Sequence, residues 1–238
     1  LESSNAAHFD IPDVFFFQAE LLLIKKNGIW ELILGELPTL SNVTIDKHEN
    51  REIKLKGTSK SEYIETVQKL RSHIIEGDVY EINYCINNYA EDVNLDPNQT
   101  FLNLLNNSPA PFSASLKLND FYCLSASMER FLKKSNNTLL SQPIKGTRKW
   151  KGQDFEQESE RLQGDEKERA ENLMIVDLVR NDLSRVCKPG SVNVNELFGI
   201  YPFSGVLQMI SSVSGEMLSE NVKIHEIIQA LFPMGSMT

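Results

Sequence analysis

The sequence predicts an α+β fold. β-prone runs follow one another with helices interspersed, without strict strand–helix alternation. An Asn-Gly pair joins two such runs near the start, and a long charged helical pattern separates two later groups of strands.

Each element has its own signal. Asn27-Gly28, inside the apolar region 13–34, predicts a hairpin, because a two-residue turn of type I′ needs positive φ at both positions. Residues 39–56 turn polar, as a loop or edge strand does. Ser59-Lys60-Ser61-Glu62 is a capping box; Tyr63, Val67, Leu70 and Ile74 follow as an apolar stripe, and Gly77 supplies the stop. Residues 79–89 read as a strand. Residues 94–107 form a short capped helix, broken by Pro109-Ala110-Pro111. Three antiparallel strands are predicted at 112–118, 121–125 and 138–144. Residues 149–163 are charged and poorly patterned, which predicts a mobile connection. A long helix spans 165–186 and ends before Lys188-Pro189-Gly190. Strands at 191–198 and 205–215 precede a last helix from Ile224, which breaks at Pro233. There is no internal repeat and no low-complexity segment.

Composition narrows the function. The 238 residues carry 24 Lys+Arg against 33 Asp+Glu, a net charge of −9, with 41% hydrophobic residues, so the chain is an ordinary globular one and not a disordered one. The length allows one large domain or two small ones. The division expected is a β-rich N-terminal portion, 1–58, and a main domain, 59–238. The apolar stretch 14–24 is interrupted by Gln18 and Glu20 and falls short of the ~18 residues of a membrane span, and no signal peptide is expected from the opening residues. Cys85, Cys123 and Cys187 are widely spaced and odd in number, which predicts free thiols in a reducing compartment. No long Lys/Arg run offers a nucleic-acid surface. A soluble cytoplasmic protein is expected, with neither nucleic acid nor membrane as partner.

Two segments could carry chemistry. In Gln142-Pro143-Ile144-Lys145-Gly146-Thr147-Arg148, Lys145 stands between a strand end and a Gly-Thr turn. It is either an exposed turn lysine or an amine nucleophile, with Gly146 admitting a ligand to the backbone and Thr147 offering a hydroxyl. On the charged helix, Glu168 and Glu171 are three residues apart and share a face. They form either a solvated ion-paired surface with Lys167 and Arg169 or a carboxylate pair suited to Mg²⁺. Charges running into Leu173-Met174-Ile175-Val176 place that pair at the edge of a buried surface. Asp177, Arg180 and Asp182 read as a structural ion-pair network.

Taken together, five segments have a recognisable order: Gly-Asp-Val-Tyr-Glu-Ile-Asn (77–83), Ala-Pro-Phe-Ser-Ala (110–114), Ser-Met-Glu-Arg-Phe (127–131), Pro-Ile-Lys-Gly-Thr-Arg (143–148) and Glu-Asn-Leu-Met-Ile-Val-Asp-Leu-Val-Arg-Asn-Asp-Leu (171–183). With them the chain resembles the chorismate-utilising enzymes, and within them the aminodeoxychorismate synthase component I branch, from about Ser59 to Thr238. The resemblance implies the chorismate-binding fold of anthranilate synthase component I, largely antiparallel sheets packed together with helices outside. It implies amination of chorismate at C4 to 4-amino-4-deoxychorismate for p-aminobenzoate and folate synthesis, with ammonia from a glutamine amidotransferase subunit. Lys145 matches the branch's covalent nucleophile, where anthranilate synthases normally have alanine. Glu129 matches the general acid/base, Glu171 and its neighbour Glu168 the Mg²⁺ site, and Gly146 and Thr147 substrate contacts.

Two departures stand out. Gln208 takes a position where the family commonly has histidine; it can hydrogen-bond substrate but cannot transfer a proton near neutral pH. Glu81 stands where this branch usually has glutamine and water-activating relatives have lysine, which counts against water as nucleophile. The alternatives are anthranilate synthase component I and a non-catalytic chorismate- or tryptophan-binding homologue. The Leu-Glu-Ser-Ser opening resembles the family's tryptophan-binding segment. The final Phe-Pro-Met-Gly-Ser-Met-Thr resembles the start of a family loop that continues Gly-Ala-Pro-Lys, so the family's C-terminal segment and the rest of its metal site are expected to be missing from the 238 residues.

Overall fold

The computed structural model describes residues 11–12, 15–39 and 53–237. The first half of these residues forms the hairpin β1 (Leu22–Lys26) and β2 (Ile29–Leu34), β3 (Lys56–Gly57), α1 (Lys60–Glu76), β4 (Asn88–Tyr89) and α2 (Pro97–Asn107). Next come the hairpin β5 (Phe112–Leu118) and β6 (Phe121–Ser127), then β7 (Arg130–Ser135), β8 (Thr138–Gln142) and β9 (Ile144–Lys149). Helices α3 (Phe155–Gln163) and α4 (Glu166–Ser184) precede β10 (Asn193–Phe203) and β11 (Val206–Glu216). Helix α5 (Ile224–Leu231) and a 3-10 turn at Gly235–Met237 end the described chain. No helix among the described residues is long and apolar enough to cross a membrane. The Leu-Glu-Ser-Ser opening and most of the polar stretch 39–56 lie outside the described residues.

Local chemistry sets most of these elements. Asn27 and Gly28 have φ of 51° and 84°, as a type I′ turn requires. Ser59 and Glu62 close the predicted capping box on α1, and Gly77 ends the helix in the left-handed conformation. Asp96 caps α2 by accepting the Gln99 N–H at 2.6 Å. Asp165 does the same for α4, accepting from Lys167 and Glu168.

Strand β11 is the centre of an antiparallel sheet. It pairs with β10 along one edge and, along the other, with β9 and then β8; β7 lies outside β8. Helix α4 crosses this sheet with Ile175, Val176, Val179 and Leu183 inward, against Leu139, Val213 and Met217, while Ile227 and Leu231 of α5 complete the core. Full burial of one such side chain contributes about 1.5–3 kcal/mol. A second cluster joins Leu162 of α3 to Leu207 and Met209 of β11.

Four expectations change. Residues 149–163 hold α3: Leu162 is its one buried anchor, Trp150 meets Phe155 edge-on at 5.9 Å, and Glu158 pairs with Arg148 and Arg161. One apolar anchor among charges leaves little periodic pattern to read. Of 79–89 only Asn88–Tyr89 pairs, with β3. The Lys-Gly-Thr segment is no turn: it lies within β9, paired with β11. Finally, Leu173 and Met174 are exposed, and the helix buries Asn172 in their place.

The register explains how β9 accommodates glycine. Thr147 opposes Gln208 and Ile144 opposes Ile210, so Lys145 and Gly146 together face the single residue Met209. This is a β-bulge, which leaves the extra residue out of the ladder and bends the strand. Gly146 has φ +106°, and a Cβ there would stand 3.0 Å from Met209 Cβ and 3.4 Å from Glu168 Cβ. Gly146→Ala should therefore lose about 1–3 kcal/mol of stability, the cost of a strained backbone at a non-glycine residue, measured as a lower urea midpoint. An unchanged midpoint would show that the bulge relaxes freely.

Candidate active site

The bulge brings several sequence-predicted residues to one place. Lys145, half-buried, occupies the bulge itself. Glu129 lies in the connection between β6 and β7, and its Oε1 accepts the Ile144 N–H at 2.9 Å. That bond has a geometric cause. The Pro143 carbonyl faces β11, where it accepts the Ser211 N–H at 3.2 Å. Across the trans peptide the Ile144 N–H then points away from β11, and Glu129 meets it.

Burial pushes the Glu129 carboxyl up from its ordinary value; the Ile144 N–H, the Ser236 hydroxyl and the positive charge of Lys145 pull the other way and do not win. Ser236 Oγ lies beside that carboxyl, buried and without a hydrogen bond of regular geometry. A carboxyl whose protonated form is favoured in this way is suited to donating a proton.

The other candidates line the same strand and helix. Glu168 packs on Gly146 through the missing Cβ. Thr147 donates to Gln208 Oε1 at 2.7 Å, with Gln208 buried in β11. Glu168 and Glu171 converge on one cation: the Lys167 ammonium lies 3.7 Å from Glu168 and 3.0 Å from Glu171. The ion-paired face considered from the sequence thus forms, through Lys167, whose pKa is raised chiefly by Glu171. Arg169 does not join it and lies over the Phe198 ring at 5.0 Å. The same two oxygens, reaching one ammonium, are a donor pair that fits a divalent cation retaining its waters. Glu81 is exposed outside any helix or strand, and the nearby Asn83 donates to the Met237 carbonyl. Asp177 pairs with Arg180 at 3.0 Å, while Asp182 is buried, 3.5 Å from Arg185.

Some contributors were not singled out from the sequence. Asn172 Nδ2 donates to the Lys145 and Met209 carbonyls, and Ser211 donates to its Oδ1. Arg130 donates from Nε to Gln142 at 2.9 Å, Gln142 donates to Ser212 at 3.0 Å, and the Arg130 guanidinium covers Phe112 at 4.7 Å. The available signal for Asn172 is its spacing, three and four residues before Ile175 and Val176 on the inward stripe. Two open hollows, of about 380 Å³ beside Phe15 and Phe121 and about 470 Å³ between Arg185 and Gln229, contain none of the candidate residues.

Comparison with known proteins adds a family. The profile of the chorismate binding enzymes matches residues 28–238. The chain is 34% identical to aminodeoxychorismate synthase component 1 of Bacillus subtilis over 90% of its own length and 46% of that protein. It is 38% identical to the protein of the same name from Salmonella typhimurium over 76% of its length and 40% of that protein. The chain therefore spans less than half the length of these relatives. Its fold is similar to that of anthranilate synthase component I from Streptococcus pneumoniae, with TM-score 0.68 and 25% identity over 78% of this chain and 41% of that one.

The raised Glu129 pKa fixes a pH dependence. The folded state binds this proton more tightly than the unfolded chain, so stability falls as pH rises from about 4.5 through the raised folded value. Glu129→Gln keeps an acceptor for Ile144 and removes the charge. Its stability relative to wild type should grow over that pH window in urea titrations, and a pH-independent difference would contradict the assignment.

Proposed function

The chain belongs to the chorismate binding enzyme family, and from that premise we propose that it aminates chorismate at C4, giving 4-amino-4-deoxychorismate with the enolpyruvyl ether retained. The observation that carries this is Lys145 on a bulge beside Glu129, a carboxyl held above its ordinary pKa by burial. The likeness to proteins named aminodeoxychorismate synthase component 1 supports the branch.

The residues divide the work as follows. The Lys145 amine, once neutral, adds at C2 of the ring; both ring double bonds shift by one position and the C4–O bond breaks. Glu129 gives its proton to the departing hydroxyl, which leaves as water. Ammonia then attacks C4, both double bonds shift back, and the C2–N bond to lysine breaks. Glu129 takes the proton that the new C4 ammonium releases, and the lysine is regenerated. Thr147 and Gln208 orient the substrate, and the open backbone at Gly146 lets it approach β9. Glu168 and Glu171 would hold Mg²⁺, which when bound supplies positive charge to the ring carboxylate. The ammonia comes from a glutamine amidotransferase subunit.

Full-length protein given chorismate, Mg²⁺ and ammonium should form a product that a downstream lyase converts to p-aminobenzoate. Lys145→Ala should lower this rate at least about a hundredfold, the scale of losing a positioned nucleophile. Anthranilate as sole product would favour the anthranilate synthase reading that the Streptococcus pneumoniae likeness raises. Chorismate binding without turnover in calorimetry would favour a non-catalytic binding protein.

A further inference from the structure

The structure assigns Asn172 as the positioning residue of Lys145, acting through the backbone of the bulge; the inference rests on the reading that Lys145 carries the reaction. Asn172 is 1% exposed, on the inward stripe of α4 that Ile175, Val176, Val179 and Leu183 continue. A buried amide at such a place is costly unless hydrogen-bonded, so its partners decide its use.

Those partners are groups at two irregularities of the sheet. On β9 the bulge sets Lys145 and Gly146 against Met209, and Asn172 Nδ2 donates to the Lys145 carbonyl at 3.0 Å and the Met209 carbonyl at 3.3 Å. On β10 the register with β11 shifts between Glu196 and Gly199, where Phe198 has φ +60°. There the Phe198 N–H donates to Ser211 Oγ at 3.1 Å, and the Ser211 hydroxyl donates to Asn172 Oδ1 at 2.6 Å. One amide thus ties β9 to β11 directly and reaches β10 through Ser211.

The amide orientation is dictated by its partners. Two carbonyls demand the NH₂ side and a hydroxyl serves the oxygen; the flipped amide would set its oxygen against both carbonyls. Asn172 is also one turn after Glu168 and next to Glu171 on α4. It therefore ties the lysine backbone to the helix that carries both candidate metal ligands. A displacement of about 1 Å between reacting groups costs on the order of a hundredfold in rate.

The test uses the full-length chain with chorismate, Mg²⁺ and ammonium, with rates expressed per folded molecule from circular dichroism. Asn172→Ala should lower kcat about a hundredfold and Ser211→Ala about tenfold, both leaving KM for chorismate within about twofold. Lys145→Ala is measured alongside. If Lys145→Ala loses activity but both other variants keep wild-type kcat, or change KM alone, Asn172 is only a structural amide and the inference is overturned. If Lys145→Ala retains full rate, the lysine reading fails and the inference falls with it. Should Asn172→Ala not fold, the kcat of Ser211→Ala decides.

Discussion

Two residues of β9 facing one residue of β11 is the constraint from which the site follows. The bulge at Lys145 and Gly146 breaks the ladder where α4 crosses, and a Cβ at 146 would meet Met209 and Glu168 at 3.0–3.4 Å on a backbone with φ +106°. Regular pairing resumes on both sides, Thr147 with Gln208 and Ile144 with Ile210. Lysine, glutamates and the Thr147–Gln208 pair are thus fixed by one irregularity in an otherwise regular sheet. A side chain at 146 would crowd the helix at Glu168.

Much of this was legible before the structure. Caps, the Asn-Gly turn and apolar stripes are local, so α1, the first hairpin and α4 follow from their own residues. What stayed hidden depends on partners distant in sequence. The Lys-Gly-Thr segment has the composition of a turn, and it becomes a bulged strand only because β11, sixty residues later, supplies the neighbour. A glycine inside a strand pattern is itself a bulge signal, but beside Pro143 and Thr147 it has the composition of a turn. Asn172 is hidden for a local reason. Local hydrophobicity favours burying Leu173 and Met174, but the helical phase set by Val176, Val179 and Leu183 turns Asn172 inward instead. The candidate residues came from the order of their motifs, and their convergence could not be read from spacing alone.

Charge follows the same division between whole and part. The chain is net negative, yet the Glu168–Glu171 pair meets a cation from its own helix, and Glu129 lies within the field of Lys145. Local potential depends on the few groups within a Debye length and on how water is excluded, not on the total. An acidic protein is in this way compatible with an anionic substrate.

The bond between Glu129 and the Ile144 N–H has an evolutionary consequence. Because the Pro143 carbonyl is committed to β11, that N–H needs an acceptor on the other side whether or not any substrate is turned over. Aspartate is one methylene shorter, and alanine leaves the donor bare. The sheet itself thus favours, at position 129, a long side chain ending in a carbonyl-type oxygen. Glutamate or glutamine at that position therefore serves the sheet independently of any chemistry the carboxyl performs.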